Sequence, residues 1–325
     1  MKEIFKGKRI YFLSDSGVHH GFNVYDMRSF ISRNDEKCYI FNKGLGGNRA
    51  AMVKYLYEDE IMAIKPDVVI ISYGGNDVSG YLYDSEKPVT AEVLAEREFR
   101  DKEHLDNMKE SVLRMKADGI IPVIASCPGF DEFIGEKEGI ETLADNDEKA
   151  KHLNSNFYKR QTMRNLNEKL EIYSKELEKF AKENDVMFID LFSVFKKANC
   201  ENSGLRKEDG CHLTEDKGHP LLAKTILEFL GYENVPDTFE HDEKNDEIFE
   251  YEQFERSIQY FKHALMSPWL GFDTEEKRAN RLEELKTRKE HWIKKSVDNY
   301  LNHNQEIEKI EQTLSQKVYD YINNK

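Results

Sequence analysis

The sequence predicts an α/β fold, a three-layer sandwich in which a mostly parallel five-stranded sheet lies between helices. Two observations carry this reading. Short β-rich runs alternate with long amphipathic stretches up to about residue 232. Strand–helix–strand alternation is the pattern of parallel sheets with right-handed crossovers. The runs DVVIIS (67–72) and IIPVIAS (120–126) are also continuously apolar, without the alternation of a half-exposed strand. Such runs suit strands covered on both faces.

Taken in order, strands are expected at Arg9–Leu13, Cys38–Phe41, Asp67–Ser72, Ile120–Ala125 and Val186–Asp190. Helices are expected at Arg49–Ile64, Ala91–Ala117, about Asp145–Glu183, and Asp216–Leu230. After Pro236 the character changes. FEHDEKNDEIFEYEQFE (239–255) is strongly acidic with interleaved aromatics. A helical pattern then places Phe254, Ile258, Phe261 and Leu265 on one face, and Pro268 ends it. Asp273, with Glu276 three residues on, has a capping-box pattern and opens one long helix running past Leu282, Leu285 and Val297 to Val318. The expected division is an α/β domain over residues 1–236 and a helical extension over 237–325. That extension either packs on the domain or joins a second copy as a homo-oligomer.

Composition excludes some classes of function. The 325 residues are 39% hydrophobic and 34% charged, with a net charge of −14. A nucleic-acid partner needs a basic face, and an anionic membrane surface attracts one. Neither fits this balance. No stretch approaches the roughly 20 apolar residues of a membrane span. Lysines interrupt the N-terminal run MKEIFKGKRIYFLSDS before it can form an export signal. The expected location is cytoplasmic. Cys38, Cys127, Cys200 and Cys211 have no CxxC spacing and read as reduced, packing thiols. His19, His20, His212 and His219 come without HExxH or CxxC, so neither a metal nor a cofactor is expected.

In open α/β sheets, ligands bind beyond the carboxyl ends of the strands. Three stretches follow strands directly: Ser14-Asp15-Ser16, NKGLGGN (42–48) and YGGND (73–77). A fourth, DGCHLT (209–214), lies shortly before the last helix of the sheet region. Each alone has the composition of a turn. Ser-Asp-Ser reads as a turn or as a nucleophile at a strand end. Gly-Leu-Gly-Gly-Asn reads as a flexible turn or as backbone N–H groups open to an anion.

Together, and in this order, the four resemble the SGNH hydrolases, also called the GDSL lipase/esterase family. That pattern has a GDS block after the first strand, a second-block Gly, a GxND block and a DxxH block. Its counterparts here are SDS at 14–16, NxGxxG at 42–47, GGND at 74–77 and DGCH at 209–212. The resemblance spans residues 8 to about 231. Ser14 stands where the pattern has Gly, and Gly17 where an aliphatic residue is usual.

The resemblance implies a flavodoxin-like SGNH hydrolase fold and a Ser-His-Asp triad working through an acyl-enzyme. Ser16 would be the nucleophile. His212 would act as general base and then acid, with Asp209 holding the imidazole. The oxyanion donors would be the backbone N–H groups of Ser16 and Gly47 and the side-chain amide of Asn76. Asp15 and Asp77 read as loop-organising acceptors, and Cys211 as a packing residue. His19 and His20 are expected to line the substrate cleft. The insert at 129–161 is polar and charged, which favours a small-molecule ester, foremost an O-acetylated carbohydrate, over a long acyl chain. Alternatives are a thioesterase or lysophospholipase of the same fold, acyl transfer to an alcohol, and an inert partner-binding module.

Overall fold

The computed structural model describes residues 2–34, 37–83, 88–132, 166–201, 204–207 and 209–323. Five strands form one sheet: β1 (Arg9–Ser14), β2 (Tyr39–Gly44), β3 (Val68–Ser72), β4 (Ile121–Ala125) and β5 (Met187–Ile189). Their order is β2-β1-β3-β4-β5, and every pairing is parallel. The continuous apolar runs are the central strands. Every residue of β3 is buried, and β1 is buried from Ile10 onward. Strands buried on both faces lose no side chain to water, so alternation has no use in them.

The helices that flank the sheet are α1 (Ser16–His19), α2 (Phe22–Arg33), α3 (Val53–Leu56), α4 (Ala91–Ala117), α5 (Leu166–Glu183), α6 (Leu191–Glu201) and α7 (Gly218–Leu230). α2 packs against α7, and α4 packs against α5 and β4. The expected sandwich is therefore present. The helical path expected at 49–64 is continuous but changes pitch, from a 3₁₀ turn at Ala50–Met52 through α3 to a π turn at Tyr57–Met62. The polar insert beyond residue 132 and the expected helix from Asp145 to residue 165 lie outside the described residues.

Besides the single turn α1, two helices escape the sequence reading. α2 buries Asn23, Arg28 and Ser29 alongside Val24, Met27 and Ile31, so its inward face does not read as apolar. α6 starts directly after β5, where the Asp190 side chain accepts the Ser193 N–H at 3.0 Å and turns strand into helix at once. β2 also runs further than expected. Asn42, Lys43 and Gly44 belong to the strand, because acidic side chains from the far end of the chain partner the first two in the interior.

The C-terminal region begins with α8 (Asp246–Gln259), extended by a π turn at Tyr260–Leu265 and broken before Pro268 as expected. The single long helix expected next is three: α9 (Glu275–Lys286), α10 (His291–His303) and α11 (Ile307–Asn323). Their apolar residues serve two cores. Leu285, Ile293 and Val297 close on Phe261 and Met266, while Leu314, Val318 and Ile322 join the sheet core. A straight helix over the same residues would be roughly 70 Å long and could not reach both. Thr274, in extended conformation, caps α9 by accepting the Lys277 N–H at 3.2 Å. Asp273, the cap expected from sequence, instead holds Lys277 Nζ at 2.6 Å. α8 and α11 both pack on β2. Among the described residues, no helix is long and apolar enough to cross a membrane.

Candidate active site

The chain moves from β1 outward to β2 and then returns to place β3 on the other side of β1. Connections leave the sheet in opposite directions at that point, and a crevice opens beyond the carboxyl ends of β1 and β3. Ser14 and Ser72 are the last pair in this register. The Ser14 hydroxyl donates to the Ser72 carbonyl at 2.7 Å, so the serine at this position ties the two strand ends together inside the fold.

The chain leaves β1 through Asp15, whose carboxylate accepts the Gly17 N–H at 2.9 Å and caps the single turn α1. Ser16 is the first residue of that turn. Burial pushes the Asp15 carboxyl up to about 6, against the lowering effect of the Gly17 N–H.

Opposite Ser16 stands a short hairpin from the DGCH block. Lys207 N–H donates to His212 O at 2.7 Å, Thr214 N–H to Leu205 O at 3.1 Å, and Arg206 bridges to Leu213. Within it, Asp209 Oδ1 accepts the N–H groups of Cys211 and His212 at 2.8 and 2.9 Å. Asp209 Oδ2 lies 2.6 Å from His212 Nδ1. His212 Nε2 lies 3.2 Å from Ser16 Oγ. Burial acts to raise the Asp209 carboxyl. The His212 hydrogen bond and charge, with the two backbone N–H groups, override it and hold Asp209 below the usual carboxylate range. An ionised carboxylate only accepts, so in the neutral imidazole Nδ1 carries the proton and Nε2 turns its lone pair to Ser16.

The second block supplies close approach. A Cβ on Gly44 would sit 2.4 Å from His19 N and 2.6 Å from Val18 C, so only glycine lets α1 rest on the end of β2. Gly47 adopts φ +75°, a left-handed turn that leaves the space around its Cα open. Among the described residues, neither the Ser16 N–H nor the Gly47 N–H has an acceptor. The Asn76 amide donates to Asn48 O at 2.9 Å, and a longer contact of 3.4 Å faces Asp15 Oδ2. Asp77 organises the neighbouring loops: its Oδ1 accepts the Ala50 N–H at 2.9 Å and lies 3.2 Å from His104 Nδ1.

One pocket brings Ser16, Asn76 and His212 together. Gly47 is not among its lining residues; it precedes Asn48, whose carbonyl Asn76 holds. His19 and His20 do not line this pocket. The His19 Nδ1 lies 3.2 Å from the Gly44 carbonyl, and its ring packs on His20 and Tyr260. Burial holds the His19 imidazole down to about 4, so it is neutral at neutral pH. Cys127, Phe130 and Leu213 form apolar wall, and Arg206 is buried among them, donating to the carbonyls of Cys211 and Gly129. Of these four, only Leu213 lies in a stretch singled out from the sequence, DGCHLT; no motif marks the other three. Cys211 also lines the pocket, but burial pushes its thiol well above the usual range, which suits packing.

Comparison with known proteins adds the following. A profile described as the GDSL-like Lipase/Acylhydrolase family matches residues 20–219. No curated protein matches the chain. Among solved structures, the chain is similar to a gut microbial diltiazem-metabolizing enzyme, at 16% identity and a TM-score of 0.67, over 99% of this chain and 96% of that one. It is also similar to Axe2, an acetylxylan esterase from Geobacillus stearothermophilus, at 20% identity and a TM-score of 0.50, over 72% of this chain and 99% of that one. At such identities the likeness is one of fold. The first of these structures matches through the C-terminal helices, whereas the second covers less of the chain.

Proposed function

This chain belongs to the GDSL-like lipase/acylhydrolase family, and from that premise we propose that it is a serine esterase. Its preferred reaction is removal of an O-acetyl group from a carbohydrate or another small polar ester. The observation that carries the reading is the hydrogen-bonded line from Asp209 Oδ2 through His212 to Ser16 Oγ, with steps of 2.6 and 3.2 Å.

In this mechanism Ser16 Oγ attacks the ester carbonyl carbon while His212 Nε2 takes the hydroxyl proton. Asp209 keeps the imidazole in the tautomer that can accept and stabilises the imidazolium that forms. The carbonyl oxygen becomes an oxyanion. Its donors are the Ser16 and Gly47 backbone N–H groups and the Asn76 amide hydrogen held only by the long contact to Asp15. The imidazolium then protonates the departing alkoxide, leaving an acyl-Ser16 ester. Water, deprotonated by His212, attacks that ester, and the imidazolium returns the proton to Ser16 Oγ as the acyl–Oγ bond breaks and the acid leaves. The pocket's apolar wall of Cys127, Phe130 and Leu213 suits a short acyl group beside the nucleophile. The Axe2 structure, named for acetylxylan hydrolysis, supports the choice by analogy of fold alone.

The test is hydrolysis of p-nitrophenyl acetate and p-nitrophenyl octanoate by wild type and Ser16→Ala. The expected result is cleavage that favours acetate and falls by at least about 10³-fold in Ser16→Ala. A preference for octanoate would redirect the substrate to a lipid or thioester. Full activity in Ser16→Ala would overturn the mechanism.

A further inference from the structure

β2 is an edge strand, and its outer edge should present unpaired backbone groups to water or to another chain. It does not. Arg28, from α2, donates to the Ile40 carbonyl at 3.3 Å, and Glu252, from α8, accepts the Asn42 N–H at 2.7 Å. The two side chains grip each other through a two-pronged pair, both contacts at 2.8 Å, and Asn245 holds the Arg28 Nε at 3.0 Å. Ile40 and Asn42 are two residues apart and face the same edge. The Arg28–Glu252 pair thus takes the place of a sixth strand there. Arg28, Asn42 and Glu252 are all fully buried.

What the pair fixes is the approach to the active centre. The Asn42 side chain donates to the His19 carbonyl, at the end of α1, at 3.0 Å. Its Oδ1 accepts the Gly44 N–H at 2.8 Å. Leu45 N–H then donates to the Ser14 carbonyl at 2.9 Å. One asparagine therefore ties the turn that begins with Ser16 to the loop that carries Gly47. Glu252, more than two hundred residues along the chain, holds that asparagine's backbone in place. An apolar cover could shield this edge but could not satisfy a carbonyl and an N–H together.

We infer that Glu252 and Arg28, acting through Asn42, are positioning residues for hydrolysis. They set the spacing between Ser16 and the Gly47 backbone N–H, and so make α8 part of the catalytic apparatus. This inference rests on the assignment of Ser16 and Gly47 made above. Donors contribute to oxyanion stabilisation only when aimed at where the charge develops. A loosened tie should therefore reduce kcat and leave ground-state binding alone.

The experiment uses full-length protein, p-nitrophenyl acetate as substrate, and a p-nitrophenyl phosphonate to titrate reactive serines, so that kcat is counted per active site. Glu252→Gln alone strands the Arg28 charge and threatens folding. The informative variants are Asn42→Ala, which keeps the ion pair, and Arg28→Met with Glu252→Gln, which removes both charges but keeps an acceptor for Asn42. In Asn42→Ala, kcat per titrated serine is expected to fall about 10- to 100-fold, and in the double variant, which loses the ion pair but keeps an acceptor for Asn42, by a smaller factor, with KM changed less than about 3-fold in both. The phosphonate should react correspondingly more slowly. A purely structural role would lower the titrated fraction or the melting temperature without changing kcat per site. That result, or a loss confined to KM, overturns the inference. Ser16→Ala, run alongside, separates the two readings. Hydrolysis that survives it overturns the site assignment, whereas hydrolysis lost there and untouched in Asn42→Ala overturns only the positioning role.

Discussion

Asp15 is a carboxyl group in a place where ionisation is unfavourable. It caps α1 through the Gly17 N–H and faces the Asn76 amide, and burial pushes it from 3.8 up to about 6. The folded state therefore binds this proton more tightly than the unfolded state does. The stability it contributes is fully present below about pH 4 and is lost as the pH rises through about 6. Asp15→Asn keeps a carbonyl oxygen for the Gly17 N–H and removes the charge. At about pH 8 the variant should be more stable than wild type by on the order of 2–3 kcal/mol. The difference should shrink toward zero by about pH 4. Urea unfolding across that range measures it, and a difference that does not change with pH would refute the account. At Ser14 the chemistry is simpler. The family pattern has glycine there, but the position lies within the strand and not in the turn, so a small hydroxyl has both room and an acceptor.

At the scale of elements, the end of β2 and the turn α1 are packed backbone against backbone. Gly44→Ala would place a methyl group 2.4 Å from His19 N, where no flexible side chain can yield. Gly47→Ala meets no atom within 4 Å and bears only the strain of φ +75°. Gly44→Ala should accordingly cost about 2–4 kcal/mol and Gly47→Ala about 1–2 kcal/mol, read as shifts in chemical-denaturation midpoint. Equal losses would mean that α1 moves aside freely.

The same contrast explains what the sequence makes legible. α4 is readable to the residue, because a cap at Thr90, whose Oγ1 accepts the Val93 N–H, precedes a long stretch of helix formers. β3 and β4 are readable as unbroken apolar runs. Ser16, Asn76, Asp209 and His212 can be singled out because the four stretches around strand ends, taken together and in order, resemble the SGNH blocks. α2 and the end of β2 cannot, since Arg28, Asn42 and Lys43 read as surface residues. The carboxylates that bury them lie 210 to 268 residues further on. The direction in which a single helical turn points His19 is likewise fixed by tertiary contact with Gly44 and Tyr260.

At the scale of the whole molecule, that same distant partnership decides how stability responds to charge. On the other face of β2, Lys43 Nζ lies 2.5 Å from both Glu311 oxygens, 3.5 Å from Glu255 and 4.0 Å from Glu60. Arg256 pairs with Glu60 at 2.6 Å, with Glu311 at 3.6 Å and with Glu255. The Tyr11 ring lies beneath Lys43 at 5.0 Å. The five charged side chains come from β2, the π turn at 57–62, α8 and α11, and all are 0–2% exposed. Three carboxylates against two cations would leave one buried negative charge in excess. Burial and the charge on Glu255 push the Glu311 carboxyl well above its usual range. Burial acts to raise Glu255 too, but Arg256 and Lys43 override it. A proton on Glu311, shared toward Glu255, neutralises the cluster. This makes two variants of similar size diverge. Glu311→Gln replaces a neutral acid with a neutral amide and should change stability at pH 7 by less than about 1 kcal/mol. Lys43→Met leaves the carboxylates underpaired and should cost about 3–5 kcal/mol. Because the folded pKa of Glu311 is raised, its contribution is present at lower pH and lost as the pH rises through that value. Wild type should therefore weaken on the alkaline side where Glu311→Gln does not. Urea unfolding at pH 7 and at about pH 9.5 checks both parts. A Glu311→Gln variant as unstable at pH 7 as Lys43→Met would mean that Glu311 carries a charge there, and the excess would have to be neutralised elsewhere in the cluster.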